Sequence, residues 1–245
     1  MSGAESLARV PVAILAGGLG ARLRPAIGEH PKVLAEVAGR PFLAYLLDQL
    51  AEAGLRDVVL CTGWRAESVE RALGGSHGPL RLRYSPEREP LGTAGALRHA
   101  LPLLEGESVL VMNGDSFCGA DLAGAWRWHL AARSQATLLL VEVEDASRFG
   151  RVEVDAAGAI CRFVEKQAGA GAGWINAGIY WLARARIESI ASRTPLSLEH
   201  DVFPGWIGRG LMGLRTSARF LDIGTPRSYA DASAFFRAAG PGSPA

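Results

Sequence analysis

The sequence predicts an α/β fold in which a mostly parallel sheet is covered by helices on both faces. Short apolar runs alternate along the chain with segments whose apolar residues recur at helical spacing. Strands joined through helices pair in parallel, and such a sheet is buried on both faces. After Asp145 the pattern changes, because alternating residues around a tight turn predict a smaller β-rich lobe inserted beside the sheet.

The first half of the chain predicts alternating strands and helices. The apolar run Val12 to Leu15 has the length of a buried strand. Phe42 to Ala53 has apolar residues at helical spacing and follows Pro41, a residue that suits a first helical turn. The same criteria predict an extended piece over 33–37, strands over 57–62, 80–84, 108–112 and 136–143, and helices over 66–73, 93–104 and 121–132.

The second half begins with a predicted hairpin, 151–155 and 159–164, around the turn 156–158. Residues 169–173 are glycine-rich and predict a flexible, lid-like loop. Further segments predict strands over 174–182, 211–215 and 219–223 and helices over 183–190, 198–203 and 226–239. We predict one domain over 1–245, with halves over about 10–145 and 146–239 and a disordered tail over 240–245.

Composition limits the function classes. The 245 residues include 26 basic and 25 acidic side chains, a formal net charge of +1, which disfavours nucleic-acid binding. The sequence shows no signal-peptide core and no run of roughly 20 apolar residues, so we expect no membrane segment and a cytoplasmic location. The three cysteines lie far apart without zinc-ligand spacing, which disfavours a zinc site or a disulfide framework.

A glycine-rich loop after the first strand predicts a phosphate site. Glycines allow successive backbone N–H groups to turn toward an anion, and the basic residues that follow supply positive charge. The loop and its charged residues are Leu15, Ala16, Gly17, Gly18, Gly20, Arg22 and Lys32. A dinucleotide fingerprint would need a third glycine where Leu23 stands, and no Gly-Lys-Ser/Thr follows to make a triphosphatase loop.

Two aspartates at the ends of apolar strands predict a metal site. Asp115 follows one strand, at the sheet edge where ligands bind in open α/β folds, and Asp222 interrupts another. Mg²⁺ is held by one or two carboxylates together with substrate phosphates, so we predict Mg²⁺ as the cofactor. Asp222 has an alternative reading as a favourable charge near the helix that starts at Pro226.

Lysine and asparagine are rare in this chain. Lys32 and Lys166 are its only lysines, and Asn113 and Asn176 its only asparagines. A lysine is a compact point charge that suits a single phosphate oxygen, whereas the chain elsewhere uses arginine. This usage supports anion sites at Lys32 and Lys166.

The motif GGxGxR at 17–22, followed by PK at 31–32, resembles the signature of sugar-1-phosphate nucleotidylyltransferases. The remaining family motifs follow in order: LGTAGA at 91–96, NGD at 113–115, EK at 165–166, NAG at 176–178 and FLDIGTP at 220–226. One departure is Ala21, where threonine is common in the family. The resemblance implies a Rossmann-like fold of the glycosyltransferase-A type, with a nucleotide-binding first half and a sugar-phosphate-binding second half.

The resemblance also implies roles for single residues. Nucleotide binding is expected for Leu15, Ala16, Gly17, Gly18, Gly20, Gly92, Thr93 and Asn113. Sugar-phosphate binding is expected for Gly150, Glu165, Lys166, Asn176 and Ala177. Catalytic roles are expected for Arg22, Lys32, Asp115 and Lys166, with the metal on Asp115 and Asp222. Simpler readings are a helix cap for Thr93 and a solvated ion pair for Glu165 with Lys166.

The implied reaction is attack of a sugar 1-phosphate oxygen on the α-phosphorus of a nucleoside triphosphate, which releases pyrophosphate. The order of motifs looks most like D-glycero-D-manno-heptose 1-phosphate guanylyltransferases, which implies GTP as donor and GDP-heptose as product. Mannose-1-phosphate guanylyltransferases and the related uridylyl-, thymidylyl- and cytidylyltransferases share these motifs. The expected partners are the two substrates, with no nucleic acid or membrane, and a homodimer is compatible with the family.

Two readings from other classes stay open at this point. A catalytically silent relative could sense nucleotides as a regulatory subunit, although the charged residues of every motif are present. A nicotinamide oxidoreductase is disfavoured by Leu23 in place of the third glycine.

Overall fold

A large sheet runs through both halves of the chain. The computed structural model describes residues 6–169, 171–192 and 195–238. Its strands are β1 (Val12–Ala16), β2 (Glu36–Val37), β3 (Arg40–Pro41), β4 (Asp57–Thr62), β5 (Ser76–His77), β6 (Leu80–Pro86), β7 (Ser108–Asn113), β8 (Ser116–Cys118), β9 (Ala136–Val143), β10 (Arg151–Val154), β11 (Ile160–Val164), β12 (Gly173–Ala183), β13 (Leu211–Thr216) and β14 (Phe220–Asp222).

The helices lie mainly between these strands. They are α1 (Arg24–Ile27), α2 (Phe42–Glu52), α3 (Ala66–Leu73), α4 (Gly92–Ala100), α5 (Leu122–Ala131), α6 (Arg184–Glu188), α7 (Phe203–Trp206) and α8 (Pro226–Arg237). Short 3₁₀ segments occur at Leu7–Arg9, Lys32–Leu34 and Leu101–Leu103, and a π-helical turn spans Leu198–Val202. No helix in the described ranges has both the length and the apolar character needed to cross a bilayer.

The large sheet has eight strands in the order β13-β9-β12-β7-β1-β4-β6-β5. Strand β1 pairs in parallel with β4 and β7, and β4–β6 and β9–β13 are also parallel, whereas β12 is antiparallel to both of its neighbours. The mostly parallel sheet is thus confirmed. Small sheets of two strands each, β10–β11, β8–β14 and β2–β3, lie beside it, and the β-rich addition is small because β12 and β13 join the large sheet.

Alternate residues along the strands feed two cores on opposite faces of the sheet. Along β1, Val12 and Ile14 belong to one core and Ala13 to the other. Helices α2 and α5 contribute to the first core, for example through Phe42, and helices α4 and α7 contribute to the second, for example through Phe203. Helices therefore cover both faces, as the sequence predicts.

Several boundaries differ from the predictions. Helix α4 ends at Ala100 and is followed by a 3₁₀ turn instead of continuing to Leu104, because Pro102 has no N–H for a helical hydrogen bond. The piece predicted as extended over 33–37 is a 3₁₀ turn followed by the two-residue β2. The tail 240–245, position 239 of the predicted last helix and position 170 of the predicted lid-like loop lie outside the described residues.

Candidate active site

A pocket of about 250 Å³ lies where β1 and β7 end, beside the start of α4. Every residue predicted to bind nucleotide lines this pocket, except Gly20. Lys32 and Asp115 also line it. The location agrees with the general rule that ligands bind at the carboxyl ends of strands in open α/β sheets.

Glycines bring the loop after β1 close to its neighbours. Gly20 has a φ of +59°, and a Cβ there would lie 3.2 Å from the Cβ of Lys32. At Gly17 a Cβ would lie 2.7 Å from Oε1 of Glu87. The loop can therefore contact both a basic and an acidic side chain because it lacks side chains at these two points.

Lys32 and Asp115 are in direct contact. The Nζ of Lys32 donates to Oδ2 of Asp115 at 2.7 Å, and the two side chains are 11% and 43% exposed. The turn that carries Asp115 is fixed to the end of β1, because the N–H of Gly114 donates to the carbonyl of Leu15 at 2.9 Å. Asp115 is thus held at the pocket with its carboxylate still open to solvent.

Asp222 lies on the segment next to Asp115. It is opposite Ser116 in the β8–β14 pair, and the N–H of Ile223 donates to the carbonyl of Asp115 at 3.0 Å. Its carboxylate accepts from Nη2 of Arg148 at 2.7 Å. Asp222 is not among the residues that line the nucleotide pocket. The structure brings the two predicted metal ligands onto adjacent backbone segments.

The donor chemistry of these two aspartates fits a magnesium ion. Both offer carboxylate oxygens, the ligands that Mg²⁺ prefers. Within the described residues, no group of three or more His, Cys, Asp or Glu side chains could form an all-protein metal cage. Two carboxylates completed by substrate phosphates are the arrangement typical of Mg²⁺ in phosphate-transfer sites.

A second pocket, of about 370 Å³, lies between the β10–β11 hairpin, β12 and the π-helical turn. Four of the residues predicted to bind the sugar phosphate line it: Gly150, Glu165, Lys166 and Asn176. Ala177 does not, because its side chain is buried in the core with 1% exposure. A Cβ at Gly150 would lie 2.7 Å from the carbonyl of Val164, so this glycine lets β10 begin close against the end of β11.

Asn176 is presented by an irregularity in β12. The register of β12 against β9 shifts between Asn176 and Tyr180. The Oδ1 of Asn176 accepts from the N–H of Gly178 at 2.9 Å, and its Nδ2 donates to the hydroxyl of Tyr180 at 2.9 Å. A Cβ at Gly178 would lie 2.8 Å from Oγ of Ser116, so the bulge packs against the segment that follows Asp115. A Cβ at Gly178 would also lie 3.0 Å from the Cβ of Asn113, which lines the nucleotide pocket, so the two pockets are neighbours across this bulge.

Arg22 and the aromatic side chain of Trp64 lie outside both pockets. Arg22 is exposed in the turn before α1 and lines neither pocket. Trp64 contacts two guanidinium groups, with Cζ of Arg24 at 4.9 Å and Cζ of Arg65 at 5.1 Å from its ring centroid. Its contacts are those of a packing residue, and the catalytic role of Arg22 stays a prediction.

The simpler reading of Thr93 as a helix cap is wrong. Helix α4 has its N-cap at Leu91, with no side-chain cap hydrogen bond. The hydroxyl of Thr93 instead donates to Oε2 of Glu199 at 3.0 Å and accepts from the N–H of Leu198 at 2.8 Å. Thr93 ties the start of α4 to the π-helical turn.

Sequence reasoning missed Glu87, Arg148 and Glu199. Glu87 lines the nucleotide pocket, its Oε2 accepts from the N–H of Leu91 at 3.3 Å, and burial raises the pKa of its carboxyl group. In the sequence Glu87 lies in the charged stretch EREP at 87–90, and no sequence feature distinguishes it from Glu89. Arg148 is one of many arginines, so its contact with Asp222 leaves no sequence signal.

Comparison with known proteins gives the family. The family model described as nucleotidyl transferase matches residues 12–239. The chain therefore belongs to the nucleotidyl transferase family. This membership agrees with the two adjacent pockets and with the acidic residues at the ends of the strands.

Among curated relatives, a mannose-1-phosphate guanylyltransferase of Mycobacterium tuberculosis is 36% identical over 230 residues, which cover 92% of this chain and 64% of that protein. The chain thus spans less than two thirds of that relative. A D-glycero-alpha-D-manno-heptose 1-phosphate guanylyltransferase of Aneurinibacillus thermoaerophilus is 33% identical over 217 residues, covering 88% of this chain and 94% of that one.

Solved structures show the same fold. HddC from Yersinia pseudotuberculosis in complex with GMP-PN has a TM-score of 0.80 at 31% identity, covering 93% of this chain and 99% of that one. A crystal structure from Bacillus anthracis has a TM-score of 0.84 at 24% identity, covering 96% and 98%, and supports the fold alone.

Proposed function

We propose that the protein transfers a nucleotidyl group from a nucleoside triphosphate to a sugar 1-phosphate. An oxygen of the sugar 1-phosphate forms a bond to the α-phosphorus, the bond from that phosphorus to the bridging oxygen breaks, and pyrophosphate leaves with the electron pair. The observation that carries this proposal is the pair of neighbouring pockets, one at the glycine loop with Lys32 and Asp115 and one with Lys166 and Asn176. Two phosphate-bearing substrates need two such sites.

Different residues bind the two substrates of this reaction. Lys32 and the backbone of the glycine loop bind the triphosphate and neutralise its charge, and Arg22 adds positive charge from the exposed turn before α1. Lys166 binds the phosphate of the sugar, while Glu165 and Asn176 bind sugar hydroxyls. Little covalent chemistry is asked of the protein, because positioning and charge neutralisation dominate such transfers.

Asp115 and Asp222 would hold the magnesium ion. When bound, Mg²⁺ supplies positive charge to the phosphate oxygens and helps to orient them. Asp115 keeps its carboxylate accessible at the pocket, and Asp222 reaches the same segment through the β8–β14 pairing. Lys32 and Arg148 neutralise these carboxylates in the structure described here.

We propose GTP as the donor. Guanine presents N–H donors at its N1 and N2 positions, and a carboxylate can accept from both. Glu87 provides such an acceptor beside Gly17 at the wall of the nucleotide pocket. The relatives named above are guanylyltransferases, and the HddC structure holds a guanine nucleotide analogue, which supports the same choice.

For the acceptor, we propose D-glycero-α-D-manno-heptose 1-phosphate, with mannose 1-phosphate as the second candidate. The order of motifs favours the heptose, and the named relatives act on one or the other of these sugars. The two acceptors share the manno configuration of the ring, so the same polar side chains around Asn176 suit both.

The test measures pyrophosphate release with Mg²⁺ across a matrix of nucleoside triphosphates and sugar 1-phosphates. We expect the highest kcat/KM for GTP with one of the two manno-configured sugars. A parallel series with Glu87→Gln should lower the preference for GTP over the other triphosphates by about tenfold or more, since an amide can accept only through its oxygen. Glu89→Gln, in the same charged stretch, is the matched control.

Activity with another base or sugar would reassign the substrates and keep the reaction. Absence of pyrophosphate release with every pair, from a folded protein, would contradict the proposed reaction and favour a nucleotide-sensing regulatory role. An unchanged base preference in Glu87→Gln would remove Glu87 from base recognition alone.

A further inference from the structure

The carboxylate of Glu199 is the centre of a hydrogen-bond network that joins α4, β12 and the π-helical turn. Its Oε2 accepts from the hydroxyls of Thr93 at 3.0 Å and Ser197 at 2.9 Å. Its Oε1 accepts from the hydroxyl of Tyr180 at 3.1 Å. Three hydroxyl donors thus converge on one half-buried carboxylate, which is a strong, charge-assisted arrangement.

One branch of the network reaches the nucleotide pocket. Thr93 lines that pocket, and its contact with Glu199 joins sequence positions 106 residues apart. The backbone around it is also fixed, because the N–H of Ala94 donates to the carbonyl of Leu196 and the N–H of Leu196 donates to the carbonyl of Leu91, both at 2.9 Å. The start of α4 is therefore held by the segment that carries Glu199.

The other branch reaches the sugar-phosphate pocket. Tyr180 is fully buried, and its hydroxyl accepts from Nδ2 of Asn176 at 2.9 Å. Asn176 and Glu199 both line the second pocket. The network therefore runs from Thr93 at the nucleotide pocket, through Glu199 and Tyr180, to Asn176 at the sugar-phosphate pocket.

We propose that Glu199 is a positioning residue that fixes the nucleotide pocket and the sugar-phosphate pocket relative to each other. This inference rests on the proposed function, because it assigns one substrate to each pocket. In-line attack requires the sugar-phosphate oxygen and the α-phosphorus to meet at a defined distance and angle. Glu199 sets that alignment by bonding α4 through Thr93 and β12 through Tyr180.

The experiment is a set of double-mutant cycles read by two-substrate kinetics with GTP and the best sugar 1-phosphate. Glu199→Ala should raise both KM values about tenfold and lower kcat, since it frees both branches. Thr93→Val alone should raise the KM for GTP, and Tyr180→Phe alone the KM for the sugar 1-phosphate. In the Glu199→Ala background each of these should add less than about twofold.

Asp201→Asn is the matched control, because its carboxylate lies on the same helical turn and accepts from the N–H of Ser197. It should leave both KM values within about twofold of wild type. Circular dichroism checks the fold of each variant. If Glu199→Ala does not fold, Glu199→Gln replaces it, because glutamine keeps the size and one acceptor, and the same non-additive pattern is expected with smaller changes.

Additive effects in both cycles would overturn the proposal, and so would a change confined to the KM of the sugar 1-phosphate, since Glu199 would then be only a sugar contact. Wild-type turnover tests the proposed function separately. An active wild type with additive cycles would contradict the role of Glu199 and leave the reaction in place.

Discussion

The carboxylate of Asp115 forms an ion pair and is also open to solvent. Its carboxylate is in contact with Lys32 at 2.7 Å and yet is 43% exposed. An ion pair this open to water contributes little to stability. The arrangement instead keeps a negative oxygen available at the pocket, next to a lysine that is 11% exposed and so is held in place by its surroundings.

We therefore expect Asp115→Asn to reduce turnover by at least about 10²-fold while the fold is retained. Asparagine keeps the shape and can still accept from Lys32, but it lacks the charge that a magnesium site needs. The measurements are kcat and the Mg²⁺ concentration that gives half-maximal rate, with the thermal midpoint as the check on folding. Asp231→Asn, on the exposed face of α8, is the control, and near-normal turnover of Asp115→Asn would contradict the metal assignment.

Residues at strand ends could be predicted from sequence, and residues whose partners are distant could not. Asn113 ends an apolar strand and Asp115 comes shortly after it, so the local pattern predicts their position at the sheet edge. Arg148 and Glu199 act through partners 74 and 106 positions away. A single sequence holds no local signal for such pairs.

At the scale of elements, the start of α4 depends on close packing against the segment that precedes the π-helical turn. Gly92 has a φ of +75°, and a Cβ there would lie 2.3 Å from the carbonyl oxygen of Leu196. Both the backbone conformation and the lack of space require glycine. The sequence predicts that the motif containing Gly92 binds nucleotide, and the structure adds that Gly92 must be small to pack against Leu196.

Gly92→Ala should destabilise the protein by about 3 kcal/mol or more. The added Cβ would strain the backbone at residue 92, where φ is +75°, and would also force the backbone of Leu196 to move. Gly208→Ala is the matched control, with a φ of +73° and no atom within 4 Å of the added Cβ. It should lose only about 1 to 2 kcal/mol. Urea unfolding measures both free energies, and equal losses would show that contact with Leu196 is unimportant.

The positions of strands were predicted better than their partners. The range predicted for β12 is within one residue of the observed bounds at each end. Its place between β7 and β9, antiparallel to both, depends on contacts between distant parts of the chain. The change in pattern after Asp145 therefore predicted a β-rich addition correctly but could not show that β12 and β13 complete the large sheet.

For the molecule as a whole, a buried histidine couples folding to pH. His129 on α5 is 3% exposed, stacks on Trp126 with ring centroids 5.6 Å apart, and has its Nδ1 2.8 Å from Oγ1 of Thr137 on β9. Burial lowers the pKa of His129 from 6.5 to about 4. The group is neutral in the native protein at neutral pH, whereas in the unfolded chain it takes up a proton near its ordinary pKa.

The sign of the effect follows from proton uptake. Between pH 6.5 and about 4 the unfolded state binds more protons at this histidine than the native state, so stability falls as the pH is lowered through that range. The contribution of neutral His129 to the free energy of unfolding is present above pH 6.5 and is lost as the pH falls toward 4. Between pH 7 and 4.5 this loss amounts to about 2 kcal/mol. Carboxylates that titrate in the same pH range also change the free energy of unfolding. The contribution of His129 is therefore obtained by comparing wild type with a variant that lacks this histidine.

Urea unfolding of wild type and His129→Gln at these two pH values supplies that difference. Glutamine is neutral at both, so the variant should be less stable at pH 7 through altered packing yet lose about 2 kcal/mol less on acidification. His99→Gln, which removes an exposed histidine of α4, is the matched control for the substitution itself. An identical pH dependence of the free energy of unfolding in wild type and His129→Gln would contradict this role of His129. It would assign the loss of stability at low pH to the carboxylates, because a group with the same pKa in the native and unfolded states does not change the free energy of unfolding with pH.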